Sequence, residues 1–429
     1  MSYSESLSKL LASADAAEGC KVSVKTGDRE YAGLLMPRHG TGDSDTLVLK
    51  LDSGYNIGVR IRSDTIIKVL EKPVKTKTET EAVPPKKGLK NLTLVGTGGT
   101  IASRINYRTG RVEPAMSGDE ILDLVPEIRD VANINARSVF SMYSDNMNAK
   151  HWKEIAVAVA EELNGGADGA IIAHGTDTLG YTAAALSFML TDLSKPVVLV
   201  GAQRSADRPS TDAVGNLIAA AEFCAKGNRA GVFVAMHGTI EDDSFAIHLG
   251  TRVRKMHSSR RDAFRSMNVS PAAHIGGDGK VKHLTDGKPV SDGKVGINTE
   301  MEENCVLLHC FPGMRPEVFE SVIMKSKGVV LAGTGLGHVT EEMVPLIRKA
   351  TEAGIPVVMT TQCLEGTVNL NVYDTGREIL AAGAIPAGDM LPETAYVKLM
   401  WLLANRKDRD IRELMITPIA GEIGNRRML

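Results

Sequence analysis

The chain has 429 residues, too many for one ordinary core, and at ~100–200 residues per domain roughly two to four domains are expected. Apolar residues make up 43% and charged residues 24%, and the formal net charge of −2 excludes a global field that would draw in nucleic acid or an anionic membrane. The five cysteines are odd in number and form no CxxC pair, which argues against a zinc site or a disulfide framework and points to a reducing cytosol.

In chain order, the first 15 residues have no basic stretch leading into a long apolar run, so no secretory signal is expected. The apolar runs fall far short of the ~20 residues of a membrane span, and a cytoplasmic protein is expected. Residues 4–14 form a short amphipathic segment, read as a helix. Five short candidate strands follow at 21–25, 30–36, 46–51, 55–61 and 65–70, separated by turn-type residues. Residues 1–71 therefore read as a small all-β barrel of SH3 or Sm type. They carry nine Lys/Arg against ten Asp/Glu, a poor balance for an RNA grip, so a docking module is the better reading. Residues 72–90, rich in Lys, Thr and Pro and without periodicity, read as a solvated linker.

Beyond the linker, buried strands alternate with helices. The run 92–96 reads as a strand ending in glycine, and the runs 170–174, 196–200 and 231–235 are almost wholly apolar, as parallel strands covered on both faces are. Helices are read at 152–164, 181–191 and 212–226. After a loose stretch at 276–299, a second α/β rhythm begins with strands at 305–309, 328–332 and 356–360. The fold class is α/β: two doubly wound parallel sheets, residues 91–290 and 291–429, preceded by the barrel. In such sheets ligands gather beyond the carboxyl ends of the strands, which directs attention to the loops after residues 95, 173, 200 and 332.

The loop Gly96-Thr-Gly-Gly-Thr-Ile-Ala102 can bring backbone N–H groups close to a ligand, yet Ile101 breaks a dinucleotide fingerprint and no P-loop lysine follows. Alone, it reads better as an ordinary strand-to-helix turn. His174-Gly-Thr-Asp-Thr178 places a hydroxyl and a carboxylate side by side at a strand end. There His174 reads as a core histidine, and Asp177 or Thr178 could instead cap a helix. Val253-Arg-Lys-Met-His-Ser-Ser-Arg-Arg261 is a basic run whose usual explanation is a solvated face, and periodicity does not single out Lys255. His257 has no second histidine at ligand spacing, and no metal site is expected. Ser144 and Asp145 lie where a strand ends, placed to bind a polar ligand or to cap the next helix.

Taken as a pair, in this order and strand context, Thr97-Gly-Gly-Thr-Ile-Ala102 and His174-Gly-Thr-Asp-Thr178 resemble the two signatures of the L-asparaginase/glutaminase family. The resemblance runs from about residue 89 to the C-terminus. It implies Thr100 as nucleophile, Tyr107 as its activator, and Thr176, Asp177 and Lys255 as a second catalytic set. It also implies Gly99, Ser144 and Asp145 as substrate-binding residues. Gly333-Thr-Gly-Leu-Gly-His338 and Gln362-Cys-Leu-Glu-Gly366 resemble segments that approach a neighbouring subunit's site, which implies a homodimeric core.

The barrel, the linker and the segments 202–209 and 253–267 are similar to glutaminase subunits of tRNA-dependent amidotransferases. That narrower resemblance implies glutamine as the small-molecule substrate and no cofactor in this chain. ATP and Mg would be bound in a tRNA-binding, GatE-like partner. Contact with tRNA would be indirect, and the homodimeric core would sit within a heterotetramer. A lysine acts as a base only where burial and nearby cations disfavour its charge, and Arg252 and Arg254 are placed to supply that effect. Backbone N–H groups near Gly99 and Thr176 are the expected oxyanion donors. The alternatives are a free-standing L-asparaginase with an accessory domain, and a scaffold that keeps the fold without the chemistry.

Overall fold

The computed structural model describes residues 3–36, 43–51, 56–72, 85–106, 111–114, 120–122, 125–205 and 210–424. The first helix, Glu5–Ser13, starts where the Ser4 hydroxyl accepts from the Leu7 amide at 3.3 Å. Strands β1 (Lys21–Thr26), β2 (Arg29–Met36), β3 (Thr46–Lys50), β4 (Asn56–Arg60) and β5 (Ile66–Glu71) form an antiparallel sheet in the order β4-β3-β2-β1-β5. Leu7, Val22, Val24, Leu35, Leu47, Leu49, Val59 and Ile67 fill its core. The alternation in β3, with Leu47 and Leu49 buried and their neighbours half exposed, is that of a sheet with one dry face.

The next unit is built on an eight-stranded sheet. It begins with β6 (Asn91–Gly98), after which a hairpin, β7 (Ser103–Asn106) and β8 (Arg111–Pro114), stands apart from the sheet. The sheet continues with β9 (Asn133–Met142) and β10 (Gly169–Ala173). The helix Leu179–Met189 gives way to β11 (Leu190–Thr191), and β12 (Pro196–Val200), β13 (Gly231–His237) and β14 (Ser244–Leu249) follow. A second hairpin pairs β15 (Val253–Lys255) with β16 (Phe264–Ser266), before β17 (Ala273–Gly276) and β18 (Val281–His283). The order across the large sheet is β18-β17-β14-β13-β12-β10-β6-β9.

The five strands from β9 to β13 in that order are parallel, as the apolar runs implied, and β14, β17 and β18 extend the sheet antiparallel. Alternate residues of one strand enter different cores. Ala170 and Ile172 pack with the helices Ala149–Asn164 and Leu179–Met189, whereas Ile171 and Ala173 pack with the helix Ala213–Lys226. Burial on both faces is why these strands carry no polar alternation.

Two readings shift in detail. The helix expected at 181–191 ends at Met189, because Leu190–Thr191 pairs with β19 (Gly296–Ile297). The loose stretch 276–299 is not free, since it contains β18 and β19 and returns Ser291 and Val295 to Ser194 and Asn164.

The last unit carries parallel strands β20 (Cys305–His309), β21 (Gly328–Gly333), β22 (Val357–Thr361) and β23 (Ile385–Pro386), with helices Pro316–Ile323, Val344–Glu352, Asp374–Ala381 and Pro392–Asn405. Helix Pro392–Asn405 lies against helix Leu179–Met189, with the rings of Trp401 and Phe188 stacked 6.0 Å apart, so the two sheets share one core.

Candidate active site

The carboxyl ends of β6, β9 and β10 are pressed together through glycine. Gly99 has φ +77°, and a Cβ on it would lie 2.2 Å from the Gly175 nitrogen and 2.3 Å from its Cα. A Cβ on Gly175 would in turn meet Ser144 Cβ and Oγ at 2.7 Å. Only hydrogen fits at either position, so the glycines of the two signatures are needed for backbone contact. Because Thr100 follows Gly99 and Thr176 follows Gly175, the same contact draws the two threonines to one place. Thr97 Oγ1 donates to Ala173 O at 2.9 Å and fixes the register below them.

Lys255 reaches this place from β15, and its side chain is 13% exposed. Its Nζ donates to Thr176 Oγ1 at 2.9 Å and to Asp177 Oδ1 at 2.7 Å. Asp177 is 62% exposed, so the hydroxyl lies inward and the carboxylate at the mouth. With its oxygen accepting from Lys255, the Thr176 hydroxyl keeps its own proton available for a ligand. The helix-cap readings do not hold here. The Thr178 hydroxyl donates to Ser144 O at 2.8 Å rather than capping, and Asp177 faces Lys255. The helix after Ser144 and Asp145 is capped by Asn148, which accepts from Lys150 N and His151 N. Ser144 is buried against Gly175, while Asp145 is exposed on the single turn Ser144–Asn146. Thr100 is half-buried at the start of the turn Thr100–Ala102. Tyr107 lies outside the described residues.

His174 is the buried core histidine expected. Trp152 Nε1 donates to Thr182 Oγ1 at 3.0 Å, Thr182 Oγ1 lies 2.9 Å from His174 Nε2, and His174 Nδ1 lies 2.7 Å from Gly175 O. With Trp152 as donor, Thr182 donates onward to Nε2, and the Nδ1 proton is left for Gly175 O. Burial pulls the imidazole down to about 4, so the ring is neutral. This relay sets the carbonyl just before Thr176.

Two expectations require correction. The arginines beside Lys255 are not free cations: Arg252 Nη1 lies 2.9 Å from Asp389 Oδ2, and Arg254 Nη2 lies 2.8 Å from Glu393 Oε1. Each guanidinium is offset by a carboxylate of the last unit, so neither acts on Lys255 as the expected positive neighbour. The Gly99 N–H is committed to Met142 O at 3.0 Å, so the expectation of oxyanion donors near Gly99 and Thr176 narrows to the other amides of the two loops. Asp389 and Glu393 went unseen because more than 130 residues separate them from their partners, and no local pattern links them.

The asparaginase N-terminal family matches residues 91–286, the glutaminase/asparaginase C-terminal domain matches 304–415, and the GatD N-terminal domain matches 16–70. The chain is 51% identical to the GatD subunit of the glutamyl-tRNA(Gln) amidotransferase of Pyrococcus furiosus, over 94% of its own length and 93% of that protein's. The chain belongs to the GatD family of glutamyl-tRNA(Gln) amidotransferase subunits. Another member, from Methanothermobacter thermautotrophicus, is 45% identical over 99% of this chain and 98% of its own. Outside the GatD family, the thermostable L-asparaginase of Thermococcus kodakarensis superposes with a TM-score of 0.71 at 38% identity, covering 78% of this chain and all of that one. The GatD family is thus an asparaginase body carrying a further N-terminal domain.

Proposed function

We propose that this GatD family member is the glutaminase of a tRNA-dependent amidotransferase. The observation that carries the reading is the joint reach of Lys255 to Thr176 and Asp177 at strand ends that Gly99 and Gly175 hold together. Thr100 Oγ attacks the side-chain amide carbon of glutamine, and the resulting oxyanion is held by backbone N–H groups of the two signature loops. The proton lost by Thr100, taken up first by Tyr107, is delivered to the amide nitrogen. The C–N bond breaks, and ammonia leaves a γ-glutamyl ester on Thr100. Water then cleaves the ester, releasing glutamate and returning the proton to Thr100. The Thr176 hydroxyl, oriented by Lys255 and Asp177, delivers the proton at the nitrogen. Gly99, Ser144 and Asp145 bind the amino-acid end.

The ammonia passes to a GatE-like partner that binds tRNA, ATP and Mg and converts Glu-tRNA(Gln) to Gln-tRNA(Gln). The match of residues 16–70 to the GatD N-terminal domain favours this over a free-standing asparaginase. A homodimeric core within a heterotetramer is supported by Phe311, Leu364 and Tyr373, large apolar side chains left exposed on the segments that follow β20 and β22. The test is acid-quenched turnover of glutamine by the complex, followed by peptide mass spectrometry. A glutamyl adduct on Thr100, absent from Thr100→Val, is expected. An adduct on Thr176, or none while ammonia is released, would overturn the assignment of the nucleophile.

A further inference from the structure

The segment after β12 and the turn between β15 and β16 play no part in the chemistry above. Their described residues meet around His237, at the carboxyl end of β13 and fully buried. His237 Nδ1 lies 2.6 Å from Asn216 Oδ1, and Nε2 lies 3.0 Å from Asp242 Oδ1. The Asn216 amide nitrogen faces acceptors only: Gly201 O at 3.0 Å, Asp212 Oδ2 at 3.3 Å and Met236 Sδ at 3.6 Å. Its oxygen is therefore the atom turned towards His237, and Nδ1 must donate. Asp242 is an acceptor too, its carboxyl held below the usual range by the bond from His237 and then by Arg261. Nε2 must donate as well. A ring that donates from both nitrogens is an imidazolium.

We propose that His237 is held as an imidazolium and, with Asp242 and Arg261, is a positioning residue for the contact between Lys255 and Thr176. Arg261 lies in the turn of the hairpin that carries Lys255. It donates to Asp242 Oδ1 at 2.8 Å and to Ser210 O at 2.6 Å. At the other end, Asn216 holds Gly201 by its carbonyl, and a Cβ on Gly201 would lie 2.7 Å from Thr176 Cγ2. One cluster thus sets both the hairpin tip and the floor under Thr176. Among the described residues, the other charged groups around it are neutralised or bonded. Arg265 donates to Gly238 O and to Asp262, Asp262 also holds Arg260, and Asp212 accepts from Gln203 N and Arg204 N. The edge of the Phe245 ring, with centroids 4.7 Å apart, covers the imidazole. Loss of one ring proton would leave a lone pair facing either the buried Asn216 Oδ1 or the carboxylate of Asp242, whose side chain is 72% exposed, and the cluster would loosen.

The proposal rests on the reading of Lys255 and Thr176 as catalytic, but its first test does not. In the full chain labelled with 15N-histidine, the His237 resonances, assigned by their loss in His237→Gln, are expected to show protons on both ring nitrogens at neutral pH. In Asp242→Asn the ring is expected to be neutral. A neutral ring in the wild type would overturn the proposal, whatever the activity. The second test is the pH profile of glutamine hydrolysis. His237→Gln should lower kcat about tenfold or more, with KM little changed, because a displacement of about 1 Å far from the chemistry costs up to about 100-fold. It should also remove the fall in kcat towards higher pH that the proposal expects of the wild type. Arg261→Lys should retain more activity than Arg261→Met. Wild-type kcat and an unchanged pH profile in His237→Gln would overturn the positioning role. Full activity in Lys255→Met would instead remove the catalytic reading and leave the protonation result standing.

Discussion

A methyl group added at Gly99 tests whether backbone contact between the two signature loops builds the site. In Gly99→Ala the new Cβ would sit 2.2 and 2.3 Å from the Gly175 N and Cα, and 2.8 Å from the His174 carbonyl carbon. Carbon atoms pack at about 3.5–4.0 Å, so the loops must part by about 1 Å or more. No flexible side chain lies in the way to absorb it. Alanine at φ +77° adds about 1–2 kcal/mol of backbone strain, and overpacking adds about 1–3 kcal/mol. A destabilisation of about 2–5 kcal/mol is expected, read as a lower midpoint of thermal unfolding. A 1 Å parting between Thr100 and Thr176 should cost about 100-fold in kcat for glutamine. The assay is ammonia release from the complex at a temperature where circular dichroism shows the variant folded. If a folded Gly99→Ala enzyme keeps kcat within threefold of wild type, the loops do not set the geometry and the reasoning fails.

Two further outcomes follow from buried charge. Burial lowers His248 to about 3 and His174 to about 4, from an ordinary value of 6.5. The unfolded chain therefore takes up protons that the folded chain refuses, and this contribution is complete above about pH 6.5 and is lost as pH falls towards 4 and 3. Each histidine costs about 1.4 kcal/mol per pH unit in that window. His248→Asn should accordingly lose less thermal stability than wild type between about pH 7.5 and 5, and parallel curves would contradict the assignment. Lys398 and Glu422 form a fully buried ion pair, 2.5 Å apart, that pins residues 417–424 to the helix Pro392–Asn405. Lys398→Met should destabilise by about 3–5 kcal/mol, because Glu422 is left charged and buried. The double variant Lys398→Met/Glu422→Gln should recover much of that loss in denaturant titration, whereas simple additivity would refute the pairing.

The parallel strands were legible because burial on both faces removes polar alternation, as in Pro196–Val200 and Gly169–Ala173. Of the edge strand Asn133–Met142 only the end, just before Ser144 and Asp145, was legible, since no residue in it is fully buried and its sequence keeps polar residues throughout. The antiparallel strands β17 and β18 are four and three residues long, too short for a pattern to register. In the candidate site, the glycines of the first signature could be read as close-approach positions before any geometry, whereas the need for Gly175 appears only once the loops are seen in contact. Lys255 could not be picked from its basic neighbours by spacing, and only the resemblance singled it out. Strand alternation supplies the physical reason for the choice: in β15 Arg254 turns to Glu393, and the next residue turns the other way to Thr176. The partners Asp389 and Glu393, like the buried His237 cluster, come from tertiary contacts that leave no local trace in the chain.

The most direct measurement of the central claim is glutamine hydrolysis by the complex carrying Lys255→Met, a substitution that keeps the stem's apolar packing but removes the donor to Thr176 and Asp177. Proton-transfer groups of this kind contribute about 100- to 10,000-fold, and kcat should fall within that range while the thermal midpoint stays close to wild type. Ammonia release within threefold of wild type, from a variant shown to be folded and assembled, would contradict the assignment of Lys255, Thr176 and Asp177 as the catalytic set.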